Sequence, residues 1–168
     1  KTKCLPVGIA SVMTYLQSQG VKFDFLDIDI DDIEDTDVKL YLERNRYDIV
    51  LTGSIVTHYK WMKWLTKTVR YYNPKSIIIV GNSVAGSIPT LFLTNSDADI
   101  AIMGEGELST NETIFSILND EDISNIEGIA YKKSNGTVKV NPKRKGLKKL
   151  DDFPMINWEP FKTEDYFT

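Results

Sequence analysis

Ser76-Ile77-Ile78-Ile79-Val80-Gly81-Asn82-Ser83-Val84-Ala85-Gly86 is the stretch that decides the fold. Its four β-branched residues, Ile77 to Val80, contain no polar side chain and lie between Asn73-Pro74 and Gly81. Such a run is typical of a strand that is buried on both faces of a parallel sheet. The sequence therefore predicts a central parallel strand that ends at Gly81.

Two other segments, residues 47–54 and 99–106, share this pattern of a short apolar run that leads into glycine. The first of these glycines are Gly53 and Gly104. In an open α/β sheet, the carboxyl ends of the parallel strands form the edge where ligands bind. Glycine leaves the backbone uncovered at each end, so a flat ligand can approach it closely. The three segments therefore predict a ligand site along one edge of the sheet.

Segments with helical periodicity separate the predicted strands. They cover residues 6–20, 38–44, 60–72 and 88–94, and a further one follows Gly106. Strand and helix alternate without a long insertion, which predicts a doubly wound parallel α/β sheet with helices on both faces. The first periodic segment is a helix, although a doubly wound domain normally begins with a strand. We therefore expect a missing first strand, either trimmed from this chain or supplied by another chain.

Two segments outside this core carry their own signals. Residues 21–29 alternate between apolar and polar side chains, which predicts a strand at or near the sheet edge. Asn135-Gly136 lies between two alternating segments, which predicts a β-hairpin over residues 128–140. The final residues contain aromatic side chains and two prolines but no period, and are interpreted as a linker. The predicted division is a ligand-binding domain over 1–122, a hairpin connector over 123–149 and a linker over 150–168.

Composition excludes several classes of function. The net charge is −4, which gives no support for nucleic-acid binding. The acidic run over residues 24–37 and the basic run over residues 132–149 are interpreted as solvated faces. A single cysteine, Cys4, excludes an internal disulfide and any all-cysteine metal site built by this chain alone. No apolar run reaches the roughly 18 residues of a membrane helix, and no signal peptide is apparent, so we expect a cytoplasmic domain without membrane contact.

Three features of the sequence could indicate a cofactor, metal or catalytic site, and each is incomplete. Residues 104–109 resemble the start of a dinucleotide fingerprint, but they carry two carboxylates and follow the last strand of the core rather than the first. The aspartates at 27, 29 and 31 resemble a calcium loop, which then lacks glycine at its sixth position and glutamate at its twelfth. His58 is the only histidine, and no Ser/His/Asp or Cys/His set is present. The chain therefore shows no catalytic apparatus of its own.

Together these segments resemble a known family. The order and spacing of residues 5–20, 49–54, 79–82 and 99–107 are similar to the cobalamin-binding domain of B12-dependent radical SAM proteins. The hairpin over 126–142 and the segment 150–154 resemble that family's connector to its catalytic barrel. The likeness spans nearly the whole chain.

The resemblance implies a flavodoxin-like (Rossmann-like) fold that holds cobalamin (B12) against the carboxyl ends of the strands. It also implies a radical SAM domain of the same polypeptide, with a 4Fe-4S cluster and S-adenosylmethionine that this chain does not bind. The corrin would face that domain for methyl transfer or ring formation. The implied cofactor contacts are Ser54, Thr57, Gly81, Asn82, Gly104, Glu105 and Gly106.

The sequence departs from the family pattern at two places. Asn82 stands where the family often has a second glycine, and its side chain narrows the space for the nucleotide tail. The Asp-x-His-x-x-Gly ligand motif is missing around His58, so coordination of cobalt by His58 is not predicted. Two alternatives stay open. They are a flavodoxin-like regulatory or interaction domain that has lost its ligand, and a flavin-binding electron carrier.

Overall fold

A computed structural model describes residues 5–146 and 153–166 of the chain. The described strands are β1 (Ile49–Gly53), β2 (Ile77–Gly81), β3 (Ile100–Ile102), β4 (Ile129–Lys132) and β5 (Val138–Val140). The described α-helices are α1 (Val7–Ser18), α2 (Asp35–Arg44), α3 (Tyr59–Tyr72), α4 (Asn82–Ser87), α5 (Pro89–Thr94) and α6 (Glu107–Leu118). Short 3-10 turns occupy Val56–His58 and Thr163–Tyr166.

The five strands form one sheet in the order β1-β2-β3-β4-β5. Strands β1, β2 and β3 are parallel, and β4 and β5 are antiparallel to their neighbours. The three predicted parallel strands and the predicted hairpin are therefore confirmed. The hairpin also extends the main sheet, because Ile129 pairs with Ile102 and is fully buried.

Helices cover both faces of this sheet, as the sequence predicts. On one face, Leu16 of α1 and Ile114 of α6 pack against Ile79 and Ile102. On the other face, apolar side chains of α2 to α5 pack against Ile78 and Val80; they are Val38, Leu42, Met62, Leu65, Val69, Val84, Ala85, Phe92 and Leu93. Neighbouring residues of β2 thus enter opposite cores, which is why its sequence is an unbroken apolar run. The fold is a Rossmann-like, flavodoxin-like α/β sandwich.

Two expectations about local structure are wrong. Residues 21–29 form no strand, since an alternating pattern needs a partner strand and the described residues provide none beside it. The chain instead turns over residues 27–33, where Asp31 and Ile33 donate backbone hydrogen bonds to Asp27 and Ile28. Between the predicted strand that ends at Gly81 and the predicted helix over 88–94, the sequence predicts a loop through Gly86; the structure instead has the short helix α4, which begins directly after β2.

Strand β1 combines the sequence of an interior strand with the position of an edge strand. Within the described residues it pairs only with β2. Val50 and Ile49 nevertheless enter the two opposite cores, and Leu51 remains 38% exposed. An uncharged edge of this kind is unusual in natural sheets, whose edges commonly carry charged residues, prolines or bulges.

The last described segment, residues 153–166, packs across α1. Phe161 is buried against Ala10 and Met13. The backbone N–H of Asn157 donates to Oγ1 of Thr14 at 2.8 Å. No periodicity in the sequence indicated this contact. Cys4 and the beginning of the predicted linker, residues 150–152, lie outside the described residues.

Candidate functional site

All seven sequence-predicted site residues belong to three loops at the carboxyl edge of the parallel strands. We call this edge the rim. The first rim loop (residues 54–58) follows β1 and contains Ser54 and Thr57. What we call the second rim loop (residues 81–83) is the junction of β2 and α4, and it contains Gly81 and Asn82. The third (residues 103–106) follows β3 and contains Gly104, Glu105 and Gly106.

The first and second rim loops are bound to each other. Gly53 lies directly opposite Gly81 in the strand register. Beyond this pair, the backbone N–H of Val56 donates to Oγ of Ser83 at 2.9 Å, and that of Val84 donates to the carbonyl of Ser54 at 3.3 Å. Sequence reasoning did not select Ser83, because a serine after a strand is common and its partner is distant in sequence.

The rim glycines serve two different purposes. A Cβ atom at Gly53 would lie 3.2 Å from the carbonyl carbon of Gly81, and one at Gly106 would lie 3.1 Å from Val12 of α1. At these two positions the missing side chain allows protein to pack against protein. A Cβ atom at Gly81 would meet only the Thr52 carbonyl oxygen, at 4.0 Å, and one at Gly104 would meet nothing within 4 Å. The uncovered backbone available to a ligand is therefore at Gly81 and Gly104.

Asn82 adopts the left-handed backbone conformation, with φ of 64°. Among non-glycine residues, asparagine tolerates this conformation better than most. Its side-chain Oδ1 accepts a hydrogen bond from the backbone N–H of Ser83 at 2.6 Å. The amide is thus engaged with its own loop, which limits the crowding that the sequence predicted for this position.

Polar groups in the first rim loop border the uncovered backbone. Ser54 Oγ and His58 Nδ1 share a hydrogen bond of 2.9 Å, and both residues belong to this loop. Thr57 is exposed in the 3-10 turn between them. The rim therefore offers hydroxyl and imidazole groups beside side-chain-free backbone, a combination suited to a ligand with a flat body and polar substituents.

A groove borders the third rim loop. Its volume is about 230 Å³, and it is lined by Gly104, Glu105, Glu107, Leu108, Arg144, Lys145 and Gly146. Glu107 lies on the inner side of the groove and is held there by α1, because the Glu107 Oε1 accepts a hydrogen bond of 2.5 Å from Ser11 Oγ. The basic side of the groove comes from the segment after the hairpin. Sequence reasoning missed Arg144, which carried no signal beyond its place in a basic run.

The aspartates of the rejected calcium loop have protein partners at the far end of the chain. Asp31 forms an ion pair with Lys162, and Asp27 accepts a hydrogen bond from the Tyr166 hydroxyl. Burial and this hydrogen bond raise the pKa of the Tyr166 phenol. Across residues 5–146 and 153–166, no group of three or more His, Cys, Asp or Glu side chains could hold a metal ion. None of the helices in those ranges has the length and apolar character needed to cross a bilayer.

Fold and rim together define a Rossmann-like domain with a candidate ligand site at the carboxyl ends of its strands. The sequence model of the B12 binding domain matches residues 1–113 of this chain. The chain belongs to the B12-binding domain family. The match includes the whole rim but ends before the hairpin.

Two relatives align with most of the chain. Uncharacterized protein MJ1620 of Methanocaldococcus jannaschii is 31% identical over 144 residues, covering 85% of this chain and 26% of the relative. Uncharacterized methyltransferase PH0819 of Pyrococcus horikoshii is 23% identical over 164 residues, covering 96% of this chain and 35% of the relative. The chain thus spans about a quarter to a third of the length of these relatives.

Solved structures of two radical SAM proteins share the fold. The methyltransferase TsrM of Kitasatospora setae, with cobalamin and a [4Fe-4S] cluster bound, superposes with a TM-score of 0.74 at 16% identity. That alignment covers 87% of this chain and 28% of TsrM. The cobalamin-dependent enzyme OxsB, with aqua-cobalamin bound, gives a TM-score of 0.73 at 20% identity and covers 86% and 20% of the two chains. The domain therefore resembles the B12-binding domain of cobalamin-dependent radical SAM enzymes.

Proposed function

We propose that this chain binds cobalamin on the rim and presents the corrin to a radical SAM domain of the same polypeptide. The observation that carries the proposal is the open space at Gly81 and Gly104, at the ends of neighbouring strands. A broad, flat ring with a tail needs backbone that it can approach without meeting side chains. Bulk at Gly81 or Gly104 would remove that access.

The residues proposed to contact the ligand differ in what they provide. Gly81 and Gly104 give access to the backbone. Ser54, Thr57, Asn82 and Glu105 offer hydrogen-bonding groups to the polar substituents of the ligand, and Gly106 lets α1 approach the third rim loop. His58 is not proposed as a cobalt ligand, because its Nδ1 is bound to Ser54 and the ligand motif is absent.

Bound cobalamin supplies a cobalt centre that can carry a methyl group or exchange electrons. The role of this chain's own residues is to hold and orient that group. The catalytic step is assigned to the proposed radical SAM domain, as in the radical SAM enzymes whose fold this chain shares. TsrM is named as a radical SAM methyltransferase, which supports methyl transfer by the parent protein. OxsB is named as a cobalamin-dependent radical SAM enzyme, which supports the pairing of cobalamin with a radical SAM domain.

The proposal is tested by binding hydroxocobalamin to the purified chain and to its Gly81→Val variant. After desalting, we expect the wild type to retain corrin absorbance. Gly81 has extended backbone, with φ of −128° and ψ of −166°, which valine adopts readily. The variant should therefore stay folded while its valine occupies the ligand's space, so its Kd should rise about tenfold or more.

Ser134→Val is the matched control for this experiment. Ser134 is exposed in the hairpin turn, at the end of the sheet opposite the rim, since β4 runs antiparallel to β3. This variant should bind hydroxocobalamin as the wild type does. Wild-type protein that retains no corrin, or equal binding by wild type and Gly81→Val, would contradict the proposed site.

The proposed radical SAM partner has a separate test. The coding sequence that continues beyond residue 168 should encode three closely spaced cysteines, the ligands of a 4Fe-4S cluster. Their absence from the full polypeptide would refute the partner while leaving cobalamin binding by this chain intact. The alternative of a ligand-free regulatory domain expects a rim filled by side chains, which the open positions at Gly81 and Gly104 do not favour.

A further inference from the structure

The third rim loop is attached to a part of the chain that lies beyond the matched family domain. The backbone N–H of Met103, directly before Gly104, donates to the carbonyl of Gly128 at 2.7 Å. Gly128 precedes the first strand of the hairpin, and its own N–H donates to the carbonyl of Pro142 at 2.8 Å. Two successive hydrogen bonds therefore connect the rim to the segment that follows the hairpin.

Gly128 is the point where three segments meet, and only glycine fits there. Its φ is 77°, in the left-handed region. A Cβ atom at this position would lie 2.6 Å from Ser109 Oγ of α6, and 3.4 Å from both Arg144 Cβ and the carbonyl oxygen of Met103. The missing side chain thus allows the end of β3, helix α6 and residues 141–146 to pack together. We call residues 141–146 the clamp segment.

Arg144 fixes the clamp segment to α6. Its Nε donates to Oγ of Ser109 at 3.0 Å, and its Nη2 forms an ion pair with Glu112. Ser109 is fully buried, and its hydroxyl in turn donates to the carbonyl of Glu127 at 2.8 Å. The Arg144 side chain is only 20% exposed, so its contact with buried Ser109 is partly desolvated, whereas Glu112 is 45% exposed and the ion pair lies at the surface.

The other end of the clamp segment is held by Asn141. Its backbone N–H donates to the carbonyl of Ile129 at 3.0 Å, and its side-chain Nδ2 donates to that of Ile126 at 2.7 Å. Asn141 is buried, with 4% of its surface exposed. The segment is therefore fixed at Asn141 and at Arg144. Arg144 and the next residue, Lys145, line the same groove as Gly104.

We propose that the clamp segment is a positioning element of the ligand site, and that Arg144 is its principal positioning residue. Through Ser109 and Gly128 it sets the backbone of the third rim loop and closes one wall of the site. Arg144 thereby controls affinity for the ligand although it lies outside residues 1–113. This inference rests on the proposed function, because it assumes that the ligand binds at Gly104.

The experiment measures two quantities in the purified chain: the Kd for hydroxocobalamin, and hydrogen exchange at the Met103 amide. Arg144→Ala should raise Kd about tenfold, since a loosened rim loop must be ordered on binding. The same variant should speed Met103 exchange about tenfold or more, because the amide's acceptor at Gly128 is less firmly held. Arg144→Lys keeps the charge but cannot contact Ser109 and Glu112 together, so its effects should be intermediate.

Lys133→Ala is the matched control, because it removes an exposed positive charge in the hairpin turn, outside the clamp segment. It should change neither quantity. Wild-type values of both Kd and Met103 exchange in Arg144→Ala, or equal effects of Arg144→Ala and Lys133→Ala, would overturn the proposal. Fast Met103 exchange with an unchanged Kd would also overturn the positioning role. If Arg144→Ala fails to fold, Arg144→Lys and Glu112→Gln provide the same comparison with smaller changes.

The two proposals fail in distinguishable ways. If the wild type does not bind hydroxocobalamin, the proposed function is refuted. Met103 exchange then decides by itself whether Arg144 holds the third rim loop. If the wild type binds and Arg144→Ala binds equally well, cobalamin binding stands and the positioning role is refuted.

Discussion

The first two rim loops and the third rim loop reach the same edge of the sheet but are stabilised from different directions. The first two are held by each other, through the contacts of Val56 with Ser83 and of Val84 with Ser54. The third is held by Gly128 and, through Ser109, by Arg144. The arrangement of the first two rim loops thus results from the pairing of neighbouring parallel strands. The arrangement of the third rim loop depends on a segment that follows the hairpin in the sequence.

From this difference we expect that mutations can destabilise the two halves of the rim independently of each other. Mutations at the first two loops should affect the β1–β2 end of the rim. Mutations at Gly128 should affect the third rim loop together with the hairpin. Residues further apart than about 7–10 Å without shared partners have additive effects on stability, so a double variant can test whether the halves are independent.

The largest effect is expected for Gly128→Ala, which disrupts the close packing that holds the third rim loop. The alanine Cβ would meet Ser109 Oγ at 2.6 Å in a left-handed backbone with φ of 77°. We expect the free energy of unfolding to fall by about 2–5 kcal/mol, combining about 1–2 for the backbone and about 1–3 for overpacking. Urea denaturation measures this loss.

Gly136→Ala separates the two contributions. Gly136 in the hairpin turn has φ of 81°, but no atom lies within 4 Å of its Cβ position. It should lose only the backbone contribution, about 1–2 kcal/mol. Equal losses at Gly128 and Gly136 would mean that close packing around Gly128 does not stabilise the third loop.

A smaller effect is expected for Gly53→Ala, which disrupts the contact between the first two rim loops. Its Cβ would lie 3.2 Å from the carbonyl carbon of Gly81, a backbone atom that cannot move away alone. The free energy of unfolding should fall by about 1–2 kcal/mol. The same denaturation experiment on Gly81→Ala serves as the control, because a Cβ there has its nearest contact at 4.0 Å and should cost less than about 0.5 kcal/mol.

The smallest effect is expected for Ser83→Ala, which removes the acceptor of the Val56 N–H. This bond is exposed to solvent, so water can replace the hydroxyl. We expect a loss of about 0.5–1 kcal/mol, together with faster exchange of the Val56 amide. Ser87→Ala, at the exposed end of α4, should leave both quantities unchanged. Unchanged Val56 exchange in Ser83→Ala would show that the two loops are not linked through this side chain.

The positions of the strands and helices could largely be predicted from the sequence. Which strands pair with each other was predicted less well. Ile77 to Val80 and Ile100 to Ile102 are apolar runs between turn residues, so burial on both faces could be read directly. Residues 21–29 alternate as an edge strand does, yet they form none, since pairing requires a neighbour that local pattern cannot provide. Strand β1 shows the reverse case, with an interior sequence at an edge of the described sheet.

The sequence by itself determined the glycine ends of the strands, the alternation of strand and helix, and the hairpin at Asn135-Gly136, because each is a local property of composition, periodicity or turn chemistry. Only the tertiary structure decided which glycines are open to a ligand and which are packed against protein. Gly81 and Gly106 look alike in the sequence, but only Gly106 meets Val12 of α1. The contacts of Gly128, Ser109 and Arg144 were likewise decided in three dimensions, since they join segments whose proximity is produced by the packing of the whole sheet.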